Sequence, residues 1–133
     1  DVVGYVLVDD VGTVVNPLLV KGQIHGGIAQ GLGQALMETI EYDPGNGQMV
    51  TASYMDYGMP RAHDFPYLDV HSNPVPTATN PFGVKGVGEA GTVGAVPAVM
   101  SAVLDALRPL GVTKLQMPAS PHNVWQAIQA AKR

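Results

Sequence analysis

Between Gly22 and Glu38 the chain reads GQIHGGIAQGLGQALME. Ile24, Ile28, Leu32 and Leu36 recur every four residues, the spacing of an apolar stripe on an α-helix. Gly26, Gly27, Gly31 and Gly33 fall inside the same stretch. Each glycine costs a helix interior about 1 kcal/mol against alanine. A helix that carries four must gain something from them. The physical candidate is close approach of another backbone, or of a ligand, that a Cβ would block.

A second stretch has the same character. Residues 80–99 read NPFGVKGVGEAGTVGAVPAV, with Lys85 and Glu89 as its only charges. Gly83, Gly86, Gly88 and Gly91 surround them. A glycine-rich loop running into a helix presents free backbone N–H groups and the positive end of the helix dipole. Glu89 would stand just before that helix. Two readings of it are open on chemistry alone. It is a general base for a reacting group within hydrogen-bond reach, or it merely caps the helix. Lys85 likewise is either a point charge for a phosphate or polar cofactor, or a solvated side chain. GVGEAG fits the G-x-G-x-x-G pattern, a weak signal without a preceding strand, and the Gly-Lys-Ser/Thr ending of a P-loop is absent.

The other segments read as follows. Val2–Val8 is β-branched and aromatic and predicts a strand, a turn follows at Asp9–Gly12, and Thr13–Val15 predicts a second short strand. Asn16-Pro17 opens the first helix. Thr39–Tyr42 and Gln48–Tyr54 predict extended segments around an Asp43–Gly47 turn, and Met59–Pro66 a loop. Tyr67–Ser72 predicts a strand and Asn73–Pro81 a proline-rich loop. Thr92–Leu107 is helical, with Val96, Val99, Met100, Val103, Leu104 and Leu107 on one side and with Pro97 predicting a late start or a bend. Ser120 and Pro121 are the N-cap and first residue of a short last helix that carries Trp125 and Ile128. There is no internal repeat and no βαβ rhythm. The expected fold class is α+β: a small mixed sheet, two main helices and a short C-terminal helix in one domain, residues 1–133.

Composition narrows the function. Hydrophobic residues at 46% and charged residues at 14% describe a globular chain with enough apolar material for a core. The formal net charge is −4 and the seven Lys and Arg are scattered, so no basic stripe exists for nucleic acid. No uninterrupted apolar run predicts a transmembrane segment. The acidic opening DVVGYVLVDD is unlike a signal peptide, and a chain without cysteine suits a cytoplasmic location. His25, His63, His71 and His122 show no metal-ligand spacing, so no metal held by side chains is expected. No Gly-x-Ser-x-Gly elbow is present. The chain opens on a strand-like run and closes on the helix-like AIQAAKR, as either a piece of a longer polypeptide or a small domain with tidy termini would.

Three segments in order, GQIHGGIAQGLGQALME, TASYMDYGMPRA and NPFGVKGVGEAGTVGAVPAVMSAVLDAL, carry a resemblance, as does the opening VDDVGTVVNPLLVKGQIHGG. They resemble the C-terminal part of the molybdenum-binding large subunit of the xanthine oxidase family of hydroxylases. The carbon monoxide dehydrogenase and bacterial aldehyde or isoquinoline oxidoreductase branch is the nearest in character. The likeness runs over nearly the whole chain but over a small terminal part of the family's subunit.

The resemblance implies a role for each motif. The family's catalytic base beside the molybdenum falls on Glu89. The glutamine near the cofactor's dithiolene falls on Gln23, with His25, Gly26 and Gly27 on the same wall. Lys85, Gly86, Val87 and Gly88 would face the cofactor, which would explain why side chains are so scarce there. The implied cofactor is molybdenum with molybdopterin cytosine dinucleotide, bound in the complete subunit and not by this chain alone. The implied partners are the remainder of the large subunit and separate iron–sulfur and FAD subunits, since no CxxC or Rossmann signature occurs here. The implied reaction is oxidation of carbon monoxide, aldehydes or N-heterocycles with water as oxygen source. The branch-defining substrate loop and most of the dinucleotide site lie outside these residues, so the isolated chain is expected to be inactive and prone to self-association. The alternative is a stand-alone, non-catalytic domain of the same fold that acts as an interaction module.

Overall fold

The computed structural model describes residues 1–132. Five regular elements follow in order: β1 (Tyr5–Asp9), α1 (Pro17–Leu36), β2 (Leu68–Ser72), α2 (Ala90–Leu107) and α3 (Pro121–Ala131). Short 3-10 turns cover Ala62–Asp64 and Arg108–Leu110. The class is α+β. Its sheet is two parallel strands, in register from Tyr5 opposite Leu68 to Asp9 opposite Ser72. The chain divides into two compact units, residues 1–30 with 61–95 and residues 31–60 with 96–133.

The first unit holds the sheet, most of α1 and the start of α2. Alternation along β1 half-buries Tyr5, Leu7 and Asp9 and leaves Val6 and Val8 exposed. Asn16 caps α1 by accepting a hydrogen bond from the Leu19 amide at 3.2 Å. Val11, Ile24, Ile28 and Ala95 are buried, and Ile28 is wholly inaccessible. The strand expected at Thr13–Val15 is absent. Asp10 takes the Gly12 amide at 2.9 Å, and Gly12, with φ near 64°, forms an isolated antiparallel bridge to Val84. The chain is thereby turned toward the glycine-rich loop and away from a hairpin with β1.

Two glycines explain the helix of the opening motif. Cβ atoms added at Gly91 would lie 2.6 Å from the Ile24 carbonyl oxygen and 3.0 Å from the Ile28 nitrogen. One added at Gly27 would lie 3.0 Å from both the Gly91 Cα and the Thr92 nitrogen. Backbone meets backbone here, and Thr92 Oγ1 donates to the Gly27 carbonyl at 3.1 Å. The contact offsets what glycine costs the helix.

The second unit closes around Leu32, Ala35, Val99, Leu107, Val112 and Ala119, all buried. The Gly33 carbonyl ends α1 by accepting from the Met37 and Glu38 amides at 3.0 and 2.8 Å. Tyr57 donates its hydroxyl to Glu38, and that bond, with some burial, raises the Tyr57 pKa above its usual value. The extended segments expected around Asp43–Gly47 shrink to one bridge, Tyr42 to Met49. Ile40, Tyr42, Met49 and Val50 are all exposed, so no buried face rewards a longer ladder. Ser120 caps α3 by accepting from the Asn123 amide at 3.3 Å, with Pro121 first in the helix.

Helix α2 departs from expectation at its start. It begins at Ala90, two residues before Thr92, and runs on with Pro97 inside it. Glu89 supports the early start, since its carbonyl accepts from the Val93 amide at 3.0 Å. With its 3-10 continuation the helix spans Ala90–Leu110, long and apolar enough by length and composition to cross a membrane. Length and composition alone do not make it a membrane span, since the core helix of a globular protein has the same character. Pro97, Ser101, Asp105 and Arg108 interrupt the run too thinly to lower its apolar character. The helix nevertheless buries one side: Ala95, Val99 and Leu107 are covered, while Val93 is two-thirds exposed.

Two glycines, one inside the contact and one outside it, make a direct test of the backbone contact. Gly91→Ala is expected to destabilise the fold by about 1–3 kcal/mol, because the added methyl meets backbone on all sides. Gly26→Ala meets nothing within 4 Å. It should be neutral or stabilising by up to about 1 kcal/mol, from helix propensity alone. Urea unfolding of the two variants reads the difference.

Candidate functional site

The two glycine motifs meet in the first unit. Gln23, on α1, donates from Nε2 to the Gly88 carbonyl at 2.9 Å. Gly88 immediately precedes Glu89, and Glu89 immediately precedes α2. Glu89 is exposed, and among the described residues its carboxylate has no hydrogen-bond or ion-pair partner. The structure thus brings Gln23, Gly88 and Glu89 together from positions 65 residues apart.

The loop before Glu89 is held at its other end by Asp10. The Asp10 Oδ1 atom accepts from the Gly12 and Val75 amides, both at 2.9 Å, and its Oδ2 pairs with the Lys85 ammonium. The Lys85 amide donates to the Val11 carbonyl at 2.9 Å, and the Gly83 carbonyl accepts from Thr13 at 3.0 Å. Asn80 adds a reciprocal pair with Val84, donating to its carbonyl at 3.0 Å and accepting from its amide at 3.2 Å. Hydrogen bonding from Lys85 first, then from the Val75 and Gly12 amides, lowers the Asp10 pKa to about 2.

The remaining sequence-derived positions sort by environment. Gly27 is buried at the contact with Gly91. Gly26, Gly86 and Gly88 are exposed, and a Cβ on any of them would meet nothing within 4 Å. Val87 is half-buried. His25 is half-buried, and its Nε2 is out of reach of water with no hydrogen-bond partner. The other histidines have ordinary neighbours: His63 beside Asp64, His71 beside Asp69 at 3.0 Å, and His122 stacked on Trp125. Asp10 is an organising residue that the motifs did not single out, and Gly91 stood among the loop glycines without its contact to α1 being visible. The Asp10-x-Gly12 turn was visible as a local signal, but its lysine partner lies 75 positions away.

The site fits an extended cofactor with polar edges on two observations. Glycines at Gly26, Gly86 and Gly88 leave surface that nothing in this chain occupies. His25 Nε2 is a buried polar atom without a partner, which native structures seldom leave unsatisfied.

Comparison with known proteins agrees. Residues 1–66 match the family model described as molybdopterin cofactor-binding domain. The nicotine 6-hydroxylase large subunit of Paenarthrobacter nicotinovorans is 40% identical over 122 residues, 92% of this chain and 15% of that protein. The carbon monoxide dehydrogenase large chain of Hydrogenophaga pseudoflava is 36% identical over 121 residues, 91% of this chain and 15% of that protein. Among solved structures, quinoline 2-oxidoreductase from Pseudomonas putida 86 superposes with a TM-score of 0.91 at 40% identity, over 97% of this chain and 16% of that one. The chain therefore spans about 15% of the length of these two relatives.

The Asp10 cluster has a pH signature. A folded-state pKa below the unfolded value adds stability above the unfolded pKa and loses it as pH falls through the folded one. The window therefore runs from about pH 4, the unfolded carboxylate value, down to the folded value of about 2. Asp10→Asn should lower the unfolding midpoint at neutral pH, and the gap to the parent should narrow across that window. A gap that stays constant down to pH 2 would contradict the pairing.

The order of motifs, the fold and these matches converge: the chain belongs to the xanthine oxidase family of molybdopterin-dependent oxidoreductases, matching part of their molybdenum-binding large subunit.

Proposed function

We propose that the chain is the C-terminal portion of a molybdenum hydroxylase large subunit and that Glu89 is the general base of its reaction. The observation that carries this reading is the Gln23–Gly88 hydrogen bond, which joins the two motifs at the peptide preceding a carboxylate that has no partner among the described residues. The reaction is net addition of oxygen from water to carbon: a substrate C–H and one water give C–OH, two protons and two electrons. For carbon monoxide the product is carbon dioxide.

When bound, molybdenum with molybdopterin cytosine dinucleotide supplies the two-electron redox couple. This chain's residues do the rest of what is assigned here. The Glu89 carboxylate accepts a proton from the water-derived nucleophile, a role open to an exposed carboxylate with no partner of its own. Gln23 holds the Gly88–Glu89 peptide through its amide nitrogen. Gly26, Gly86 and Gly88 leave room for the cofactor's edge, and His25 Nε2 offers a polar contact. Among the described residues no three His, Cys, Asp or Glu side chains gather as a metal ligand set. The family resemblance implies that the pterin, and not a side chain of this chain, would hold the metal. The names of the relatives support carbon monoxide and N-heterocycles as substrate classes, with aldehydes a third. The partners are the rest of the large subunit together with iron–sulfur and FAD subunits.

Glu89→Gln in the complete, cofactor-loaded enzyme is expected to lower kcat by ~10²-fold or more, because it removes the base and keeps the shape. Molybdenum and pterin content should be unchanged, as measured by metal analysis and pterin fluorescence. An unchanged kcat at full cofactor loading overturns the assignment.

A further inference from the structure

We propose that Asp10 is a positioning residue for Glu89, acting through Lys85. This rests on the reading of Glu89 as the base, and it gives the lysine of the KGVGEAG motif an internal partner. The Asp10 carboxylate gathers three segments, through the Gly12 amide, the Val75 amide and the Lys85 ammonium. Two of these partners are main-chain groups, so the carboxylate itself is fixed before it meets the lysine. Lys85 is fixed in turn at its own backbone, because its amide donates to the Val11 carbonyl at 2.9 Å. Side chain and main chain of Lys85 are thus bound to neighbouring residues of one turn.

Glu89 lies four residues after Lys85, and the span includes Gly86 and Gly88, at neither of which an added Cβ would meet anything within 4 Å. A glycine-rich span of that kind is held mainly by its ends, with one weak bond from the Ala90 amide to the Val87 carbonyl at 3.4 Å between them. At the Glu89 end the hold is Gln23 on Gly88; at the other it is Asp10 on Lys85. Lys85 and Asp10 are each about one-third exposed, at 35%. The pair is therefore a partly exposed contact whose share in stability is modest, and its place at the head of the loop gives it a second role. Fixing a base to within about 1 Å decides rates by up to about 10²-fold, which is the scale of effect a positioning residue commands.

Asp10→Asn isolates the charge, because an asparagine oxygen still accepts from Gly12 and Val75. In the complete enzyme it should lower kcat by about 10-fold while KM stays within about twofold. Amide exchange at residues 84–89 should quicken by about 10-fold, clearly more than exchange at the core residues Ile28 and Leu32. Lys85→Met should reproduce both effects, and Lys85→Arg should recover most of the loss, since it keeps the charge-assisted bond. Should Asp10→Asn fail to fold, the Lys85 pair of variants decides alone. Unchanged exchange at 84–89 in Asp10→Asn and Lys85→Met, or equal losses in Lys85→Met and Lys85→Arg, would overturn the proposal. The exchange readout separates the two readings. If Glu89→Gln keeps full turnover, the base assignment falls, and the same variants still report whether Asp10 anchors the loop.

Discussion

The first unit depends on one place where no side chain can stand. Gly27 and Gly91 bring the backbones of α1 and of the first turn of α2 so close that a Cβ on Gly91 would lie 2.6 Å from a carbonyl oxygen. Gln23 lies one helical turn before Gly27, and Glu89 lies two residues before Gly91. The contact therefore sets the distance between the two motifs. Given that approach, a side chain as short as glutamine reaches the Gly88 carbonyl from α1. A larger residue at either position would push apart the elements that carry the site.

Glycine serves two different purposes in this chain, and the structure separates them. Gly12, Gly27, Gly83 and Gly91 are required by packing within the chain, since an added Cβ would strike neighbouring atoms. Gly22, Gly26, Gly86 and Gly88 are not, since an added Cβ would stand in open space. These four stand close in sequence to Gln23, His25 and Glu89, while Gly4 and Gly94 are equally open elsewhere. A helix or loop that keeps glycine without an internal reason is shaped for something outside it. In the proposed function that something is the pterin, which also answers the unsatisfied nitrogen of His25.

Much of the helical framework was legible in the sequence. The four-residue stripe of α1 and the one-sided pattern of α2 both follow from apolar spacing, and Val99 and Leu107 are buried as that pattern requires. Ser120 and Pro121 announced the start of α3, and the cap is formed. Strands were less legible. Thr13–Val15 has the right residues, but Asp10 captures the preceding turn and sends the chain elsewhere. Thr39–Tyr42 and Gln48–Tyr54 have the right residues too, but they find no surface to bury against. Strand propensity is a statement about fit to a half-buried pleated surface, and a local pattern does not say whether that surface exists.

The sequence by itself determined the helices, their caps, the glycine-rich motifs and the family likeness, because each rests on residues close together or on ordered motifs. Only the tertiary structure decided which charges are spoken for. Lys85 and Glu89 stand four residues apart in the same motif, and nothing local distinguishes their roles. The fold brings Asp10 to Lys85 across 75 residues and, among the described residues, brings no donor or cation to the Glu89 carboxylate. One charge is thereby committed to holding the loop, and the other is left free to react. That division comes from long-range pairing, which depends on where the backbone of α1 allows the loop to lie.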